Sequence, residues 1–435
     1  MKKLTLTAFV IAFTCISLVS QGAKLQANVA SVDITPPLEM KYTLGGYGER
    51  ENRPAEGIHD HIWAKALVVK DNEKKYVLVT LDILGLPPNV KSDLLKRISD
   101  KGWSAANIML LPSHSHGSLE MAALNSKNNL GIPQIGIFQP ELLEFVLDKL
   151  EALITDADRN FQPVKIGTQS KMLENTNHNR RGDPEVDREL TVTRVDYTNG
   201  KPLAVLVNWT AHPTFIDGKD MLVSAEWPGY LQTDLQNSIG NDVTVMYYNG
   251  AEGDQSPVLN GSGKDDYEKI QVYGKKIANE AFQVYQQIKP RANNILSFNY
   301  QTIQLPERRV HPDFMKTGGA EYGLTEEKVK YVLDALAPPS AGVAAVRIGN
   351  LIIVGIPGEM AAGLGMKIKQ SVENKGIEHV TIGGLANEWI SYILSAKQYS
   401  NGAGYESSVS FYGPELGKVI SEDAIKTAIP LAQAK

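Results

Sequence analysis

Eight histidines are scattered through 435 residues, and several stand where an apolar, β-branched run ends. The sharpest group is Ser113-His114-Ser115-His116-Gly117, directly after the run at 108–111. A chain leaving a strand is extended, with neighbouring residues pointing to opposite sides, or it bends around a tight turn. One histidine could bind a metal while the other exchanges a proton. A polar turn capped by imidazoles would use the same residues. Two further strand ends carry ligand types: Ala211-His212-Pro213 after the run at 203–210, and Pro357-Gly358-Glu359 after the run at 351–356. Two neutral imidazoles and one carboxylate form a common catalytic zinc shell, with one position left open for water. A lone histidine after a strand is more often a hydrogen-bonded structural residue, so spacing alone leaves both readings standing.

Gly253-Asp254-Gln255-Ser256-Pro257 follows another apolar run. Its glycine and proline force a tight loop that could present the Ser256 hydroxyl, although a Ser-Pro turn or helix cap fits equally. It is not the G-x-S-x-G elbow of serine hydrolases. There is no Walker loop, HExxH, CxxC or dinucleotide fingerprint in a supporting context. Gly45-Gly46-Tyr47-Gly48 lies in a loop without the strand-turn-helix that a phosphate cradle needs. Asp82 and Glu226 are either carboxylates that orient a metal-binding histidine or loop acids in water. His59 and His61 flank Asp60 and read as a surface turn. His311 and His379 read as structural. Trp227, Trp389 and Tyr47 wall a hydrophobic groove or pack in the core.

These residues need strands and helices to bring them together. Residues 75–82 read as a buried strand, 89–101 as a helix, 108–111 as a short strand and 141–154 as a helix with i, i+3, i+4 apolar spacing. Residues 191–197 and 203–210 form a hairpin around Asn199-Gly200. A strand at 243–248, a long helix at 267–287 and an extended strand at 295–305 follow. A helix opens at Thr325, with Glu326 and Glu327 in its first turn, where the helix dipole favours acids. A second hairpin, 346–348 with 351–356, turns at Gly349-Asn350. The last helix, 414–429, is expected to stop at Pro430. No short repeat and no linker divides the chain. The expected fold is α/β, with mixed β-sheets packed by surrounding helices in a single large catalytic domain.

Composition narrows the function. At 43% hydrophobic and 21% charged residues the chain is neither disordered nor fibrous, and one cysteine makes no disulfide scaffold. With 44 Lys and Arg against 49 Asp and Glu, the net charge of −5 gives no basic excess for a nucleic-acid partner. Met1-Lys2-Lys3, the apolar stretch 4–19 and Ser20-Gln21-Gly22 read as a signal peptide over residues 1–22, so an exported protein, periplasmic or secreted, is expected. Cys15 lies inside that stretch. Thr14 before it is a poor lipobox residue, which disfavours a lipid anchor. Cleavage would leave residues 23–435 without cysteine, stable through a buried core alone.

Taken in order, these segments resemble the neutral (non-lysosomal) ceramidase family, in its catalytic N-terminal domain. Ala30-Ser31-Val32-Asp33-Ile34-Thr35-Pro36 resembles the family's opening strand, and Gly45-Gly46-Tyr47 with Gly57-Ile58-His59 its next loops. Ser113-His114-Ser115-His116 is similar to its T-H-T-H segment, Asn179-Arg180 to its N-R-S-P arginine and Ala211-His212 to its second metal histidine. Gly253-Asp254-Gln255-Ser256-Pro257 resembles G-D-V-S-P, and Pro357-Gly358-Glu359 the P-G-E metal carboxylate. Ser391-Tyr392, Tyr405-Glu406 and Phe411-Tyr412-Gly413 resemble the tyrosine-rich C-terminal stretch. The resemblance implies one zinc ion bound by His114, His212, Glu359 and Tyr392. It also implies a nucleophilic Ser256, and His116, Arg180 and Tyr405 around the reacting amide. A small lipid-like or N-acyl substrate, room for peripheral membrane contact and no obligate protein partner follow from it.

The chain departs from the family at Gly117-Ser118-Leu119-Glu120, at Arg181-Gly182 and in a Tyr392–Tyr405 spacing one residue longer than the family's. The family's C-terminal immunoglobulin-like domain is not expected. These departures fall on the substrate cleft, so they bear on ceramide more than on the metal.

The implied chemistry is amide hydrolysis. Zinc lowers the pKa of a bound water from about 16 toward about 7 and polarises the carbonyl. His116 serves as acid and base, Arg180 orients a substrate oxygen with paired donors, and Tyr405 hydrogen-bonds the tetrahedral intermediate. Tyr392 is either a fourth ligand or an oxyanion donor. Either Ser256 attacks, or zinc-activated water attacks and Ser256 only positions groups. No nearby residue supplies Ser256 with an activating base. Three functions compete: an N-acyl lipid amidase, a zinc hydrolase of the same fold acting on another amide, an ester or a sugar conjugate, and a non-catalytic envelope ligand-binding protein.

Overall fold

A computed structural model describes residues 25–259, 263–292, 295–401 and 404–434. The expected signal peptide and Cys15 lie outside the described residues.

An eight-stranded mixed sheet is built from β1 (Gln26–Asp33), β2 (Trp63–Lys70), β3 (Lys75–Leu81), β4 (Ile108–Pro112), β5 (Gln162–Met172), β6 (Glu189–Tyr197), β7 (Pro202–Trp209) and β8 (Thr244–Asn249). Across the sheet the order is β8-β7-β6-β5-β1-β2-β3-β4. A second sheet contains β9 (Leu296–Gln304), β10 (Ser340–Ile348), β11 (Leu351–Gly355) and β12 (His379–Gly383), in that order. The principal helices are α1 (Pro88–Ile98), α2 (Pro140–Ala157), α3 (Glu226–Ile239), α4 (Asp266–Gln287), α5 (Glu326–Leu336), α6 (Ala362–Glu373) and α7 (Leu416–Ala432).

The two sheets face one another. Leu67, Leu78, Met109, Leu206 and Met246 from the first pack with Val346, Leu351 and Ile353 from the second. Helices cover both outer faces. α1 and α2 lie over β2–β4, α3 and α4 over β6–β8, and α6 and α7 over the second sheet. A strand covered on both faces must be apolar throughout, which is why every residue of β4 is buried. α2 begins with proline at its first turn, where no N–H is needed, and buries Leu142, Leu143, Val146, Leu147, Leu150, Leu153 and Ile154 along one stripe. Truncating one such leucine to alanine would cost about 2–5 kcal/mol.

One unit occurs three times: an antiparallel hairpin, a crossover helix, and a strand parallel to the hairpin's second strand. The units are β2-β3-α1-β4, β6-β7-α3-β8 and β10-β11-α6-β12. Their sequences share no visible period. Both hairpins expected from Asn199-Gly200 and Gly349-Asn350 are present, with Gly200 and Gly349 at φ of 90° and 65°.

Some boundaries differ from expectation, such as the strand expected over 346–348, which runs Ser340–Ile348. The α-helix expected over 89–101 ends at Ile98 and tightens into a 3₁₀ turn over Ser99–Lys101. Pro430 does not stop the last helix, which continues to Ala432 with the proline inside it. The ring gives up the bond to the Lys426 carbonyl and crowds it, but its fixed φ is helical and only two helical residues follow, so the helix continues briefly past it. Among the described residues no helix is long and apolar enough to cross a membrane.

Candidate metal centre and active site

The ends of the three parallel strand pairs converge on one cavity of about 530 Å³. Ligands collect outside the carboxyl ends of strands because the loops there are free to vary on a fixed scaffold. The first pair contributes His114 and His116, the second His212, and the third Glu359, with Tyr392 from the segment after β12.

His114 takes a left-handed backbone, φ 72°, which costs a non-glycine residue on the order of 1–3 kcal/mol. Backbone hydrogen bonds hold it there. Ser113 N donates to Leu81 O at 2.8 Å, and His114 N donates to Ile83 O at 3.0 Å. The sharp bend turns the imidazole inward, where it is 4% exposed.

Carbonyl oxygens fix the tautomers. His114 Nδ1 lies 2.7 Å from Leu84 O. His212 Nδ1 lies 2.7 Å from Glu252 O and 3.2 Å from Gln255 O. A carbonyl only accepts, so each Nδ1 carries the proton and each Nε2 presents a bare lone pair. Both lone pairs face one carboxylate oxygen, Glu359 Oε2, at 3.4 Å and 3.1 Å. Burial, reinforced by Arg180, pushes the His212 imidazole down to about 4, so it is neutral at neutral pH. Lone pairs facing a carboxylate repel unless a cation sits between them. Ligand bonds of about 2.0–2.2 Å put tetrahedral donors roughly 3.4 Å apart, close to the observed spacings. The donor set therefore fits a divalent cation.

Glu359 is held by two neighbours. Its short segment Glu359–Met360 pairs in parallel with Tyr392–Ile393, opposing Glu359 to Tyr392. Trp389 Nε1 donates to Glu359 Oε1 at 2.8 Å. This tryptophan therefore belongs to the cavity wall and the site, whereas Trp227 is wholly in the core.

His116 Nε2 lies 3.4 Å from His114 Nε2. Its ring packs 5.0 Å from Tyr47, and a Cβ at Gly46 would fall 2.2 Å from its Nδ1. The Gly45-Gly46-Tyr47 loop thus seats this imidazole rather than a phosphate. Burial and the two neighbouring imidazoles push it well below its ordinary pKa.

Arg180 Nε donates to Glu406 Oε1 at 2.7 Å. Its Nη2 donates to Gly253 O at 3.0 Å and to the Tyr392 hydroxyl at 3.1 Å. The expected paired donation to substrate is thus largely taken up by protein groups, and Arg180 acts on the site through Tyr392. Burial, then Glu359, pushes the Tyr392 phenol well above its usual range, leaving a neutral hydroxyl donor. Tyr405 lines the same wall, its hydroxyl 2.8 Å from that of Tyr322.

Seven of the eight residues expected from sequence line the cavity: His114, His116, Arg180, His212, Glu359, Tyr392 and Tyr405. Ser256 does not. It is half-buried in a short strand, Gln255–Pro257, opposite His178. The preceding Asp254 ties loops together, accepting from Asn179 Nδ2 and Ala362 N at 2.9 Å each.

Asp82 and Glu226 do not hold the histidines. Asp82 accepts from Trp63 N and Gln232, and Glu226 accepts from Ile216 N and Trp227 N. Backbone carbonyls take that role because the strand-end loops pass directly behind the rings. His59 and His61 pair with Asp60 and Asp33, outside the cavity. Glu406 and Trp389 carry supporting roles that motif spacing alone did not indicate.

The rest of the wall is mainly apolar, including Leu84, Met121, Phe314, Val332, Leu336 and Phe411. Glu120 also lines it, pushed up to about 7 by burial.

The chain is similar to known proteins. The profile described as neutral/alkaline non-lysosomal ceramidase, N-terminal, matches residues 26–272 and 325–420. Neutral ceramidase of Pseudomonas aeruginosa is 23% identical over 89% of this chain and 69% of its own length. Neutral ceramidase B of Dictyostelium discoideum is 21% identical, covering 94% of this chain and 74% of its own. The crystal structure of the Pseudomonas aeruginosa enzyme superposes with a TM-score of 0.82 at 20% identity, over 94% of this chain and 75% of that one. That last likeness shows a common fold.

Proposed function

The chain belongs to the neutral/alkaline non-lysosomal ceramidase family, and from that premise we propose that it is a zinc-dependent amidohydrolase. Its substrate is ceramide or a related N-acyl lipid, cleaved to a fatty acid and a sphingoid base. The observation that carries this reading is the convergence of His114 Nε2, His212 Nε2 and Glu359 Oε2 beside a largely apolar cavity. A solved relative is a ceramidase complexed with C2.

His114, His212 and Glu359 would hold the ion, and Tyr392 stands beside them. When bound, the ion supplies Lewis-acid polarisation of the amide carbonyl and acidifies a coordinated water. The protein's own groups do the rest. The neutral Tyr392 hydroxyl, positioned by Arg180, donates to the oxygen that gains charge as the carbonyl is attacked. His116, neutral beside the site, takes a proton and returns it to the departing amine. The apolar wall takes the acyl chain and excludes water. Ser256, off the cavity wall, positions its loop and is not the attacking group. The protein acts outside the cytoplasm, after loss of its N-terminal signal.

A second reading is an N-acyl substrate other than ceramide. It is favoured by Glu120, an acid on the cavity wall within the segment Gly117-Ser118-Leu119-Glu120 that departs from the family. Release of fatty acid from fluorescent ceramide, set against small acyl-amides and acyl-sugars, distinguishes the two. His114→Ala should lose zinc and activity together, and an active, zinc-free His114→Ala enzyme would refute the proposal.

A further inference from the structure

Glu252 ends the second strand pair, just beyond β8, and nothing in the expected ligand set includes it. It is completely buried. Neither of its carboxylate oxygens receives a hydrogen bond from another described residue; only its own backbone N–H turns toward them. A side-chain oxygen of Glu252, a ring nitrogen of His114 and an oxygen of Glu359 all lie within 4.8 Å of one another. The fold makes room for this carboxylate: a Cβ at Gly384 would fall 2.3 Å from Glu252 Oε2. The backbone of the same residue is already committed, because Glu252 O fixes the His212 tautomer.

Two carboxylates side by side in a dry interior repel, and each pays a large desolvation cost unless a cation or donor compensates it. Glu359 at least has Trp389, whereas no other described residue donates to Glu252. Protonating Glu252 would relieve the charge but create a buried O–H that also needs a partner. A divalent cation beside His114 and Glu359 satisfies both acids at once. We propose that Glu252 is a ligand of this metal centre, which thereby holds two histidines and two carboxylates. Each of the three strand pairs then supplies the ion, the second one twice: His114; His212 and Glu252; Glu359. The two acids together would neutralise a divalent charge, favouring a firmly held ion.

This inference rests on the metal-centre reading above, and the test separates the two. Zinc is titrated into the metal-free mature chain against a chromophoric chelator, and melting is followed with and without zinc. Wild type should bind one zinc per chain. Glu252→Gln should bind it at least about 100-fold more weakly, and Glu252→Asp, with its charge retained but retracted, should fall between. Metal-free Glu252→Gln should melt no lower than metal-free wild type, since it loses an uncompensated charge, while the rise in Tm on adding zinc shrinks. Unchanged affinity in Glu252→Gln, beside a wild type that binds zinc, overturns the role of Glu252 alone. A metal-free Glu252→Gln that melts far below wild type assigns the residue to structure instead. A wild type that binds no zinc removes the metal centre itself.

Discussion

Glu359→Gln is the most direct perturbation of the site. Oε2 is the atom both imidazoles face, at 3.1 Å and 3.4 Å, while Oε1 accepts from Trp389 at 2.8 Å. Glutamine keeps the volume, and its amide oxygen can keep the tryptophan bond. Its amide nitrogen would then point two hydrogens at the imidazole lone pairs and bring no charge. Removing one partner of a buried charge pair costs about 3–5 kcal/mol. Taking roughly 4 kcal/mol, metal affinity should fall about a thousandfold at 1.4 kcal/mol per factor of ten. Chelator competition measures the affinity directly, and activity assayed over a range of added zinc should recover only where the metal rebinds. The metal-free variant should fold as well as wild type, because the tryptophan contact survives. Wild-type metal affinity in Glu359→Gln would show that the three donors do not share an ion.

Other changes separate the remaining roles. Ser256→Ala should keep activity within about tenfold, whereas loss of a true nucleophile costs on the order of 10⁴ or more, so a steady-state assay decides which it is. Arg180→Lys cannot hold Glu406, Gly253 O and Tyr392 together. It should lower kcat about 100-fold with little change in KM, and melt near wild type because Arg181 still pairs with Glu406 at 3.1 Å. In the metal-free protein the neutral His212 makes folding acid-sensitive. Its pKa is about 4 when folded and 6.5 in the unfolded chain, so the unfolded state takes up the proton first as pH falls. Stability present above pH 6.5 is then lost toward pH 4, about 3 kcal/mol from this group. Urea midpoints at pH 7 and pH 4.5 should differ less in His212→Gln than in wild type, and equal differences would refute the assignment.

The strands, most helices and both glycine turns are local matters. Alternating or continuous apolar runs, proline at helix starts and Asn-Gly dipeptides act over a few residues, and a sequence displays them directly. The same holds for the kinds of ligand at strand ends, because His114, His212 and Glu359 each stand just past a readable strand. What the sequence left undecided was which atoms meet. His212 and Glu359 are 147 residues apart, and only the parallel pairing of β7 with β8 and of β11 with β12 turns both into one cavity. The tautomers were likewise invisible, because they depend on the carbonyls of Leu84 and Glu252 lying behind the rings. Ser256 and Glu252 stand four residues apart, yet the chain's course places the serine off the cavity wall and the glutamate beside the metal donors. Hydrophobic patterning sets elements through neighbours in the chain. Ligand geometry is set by loops that approach only after the sheets have packed, so it belongs to the tertiary structure alone.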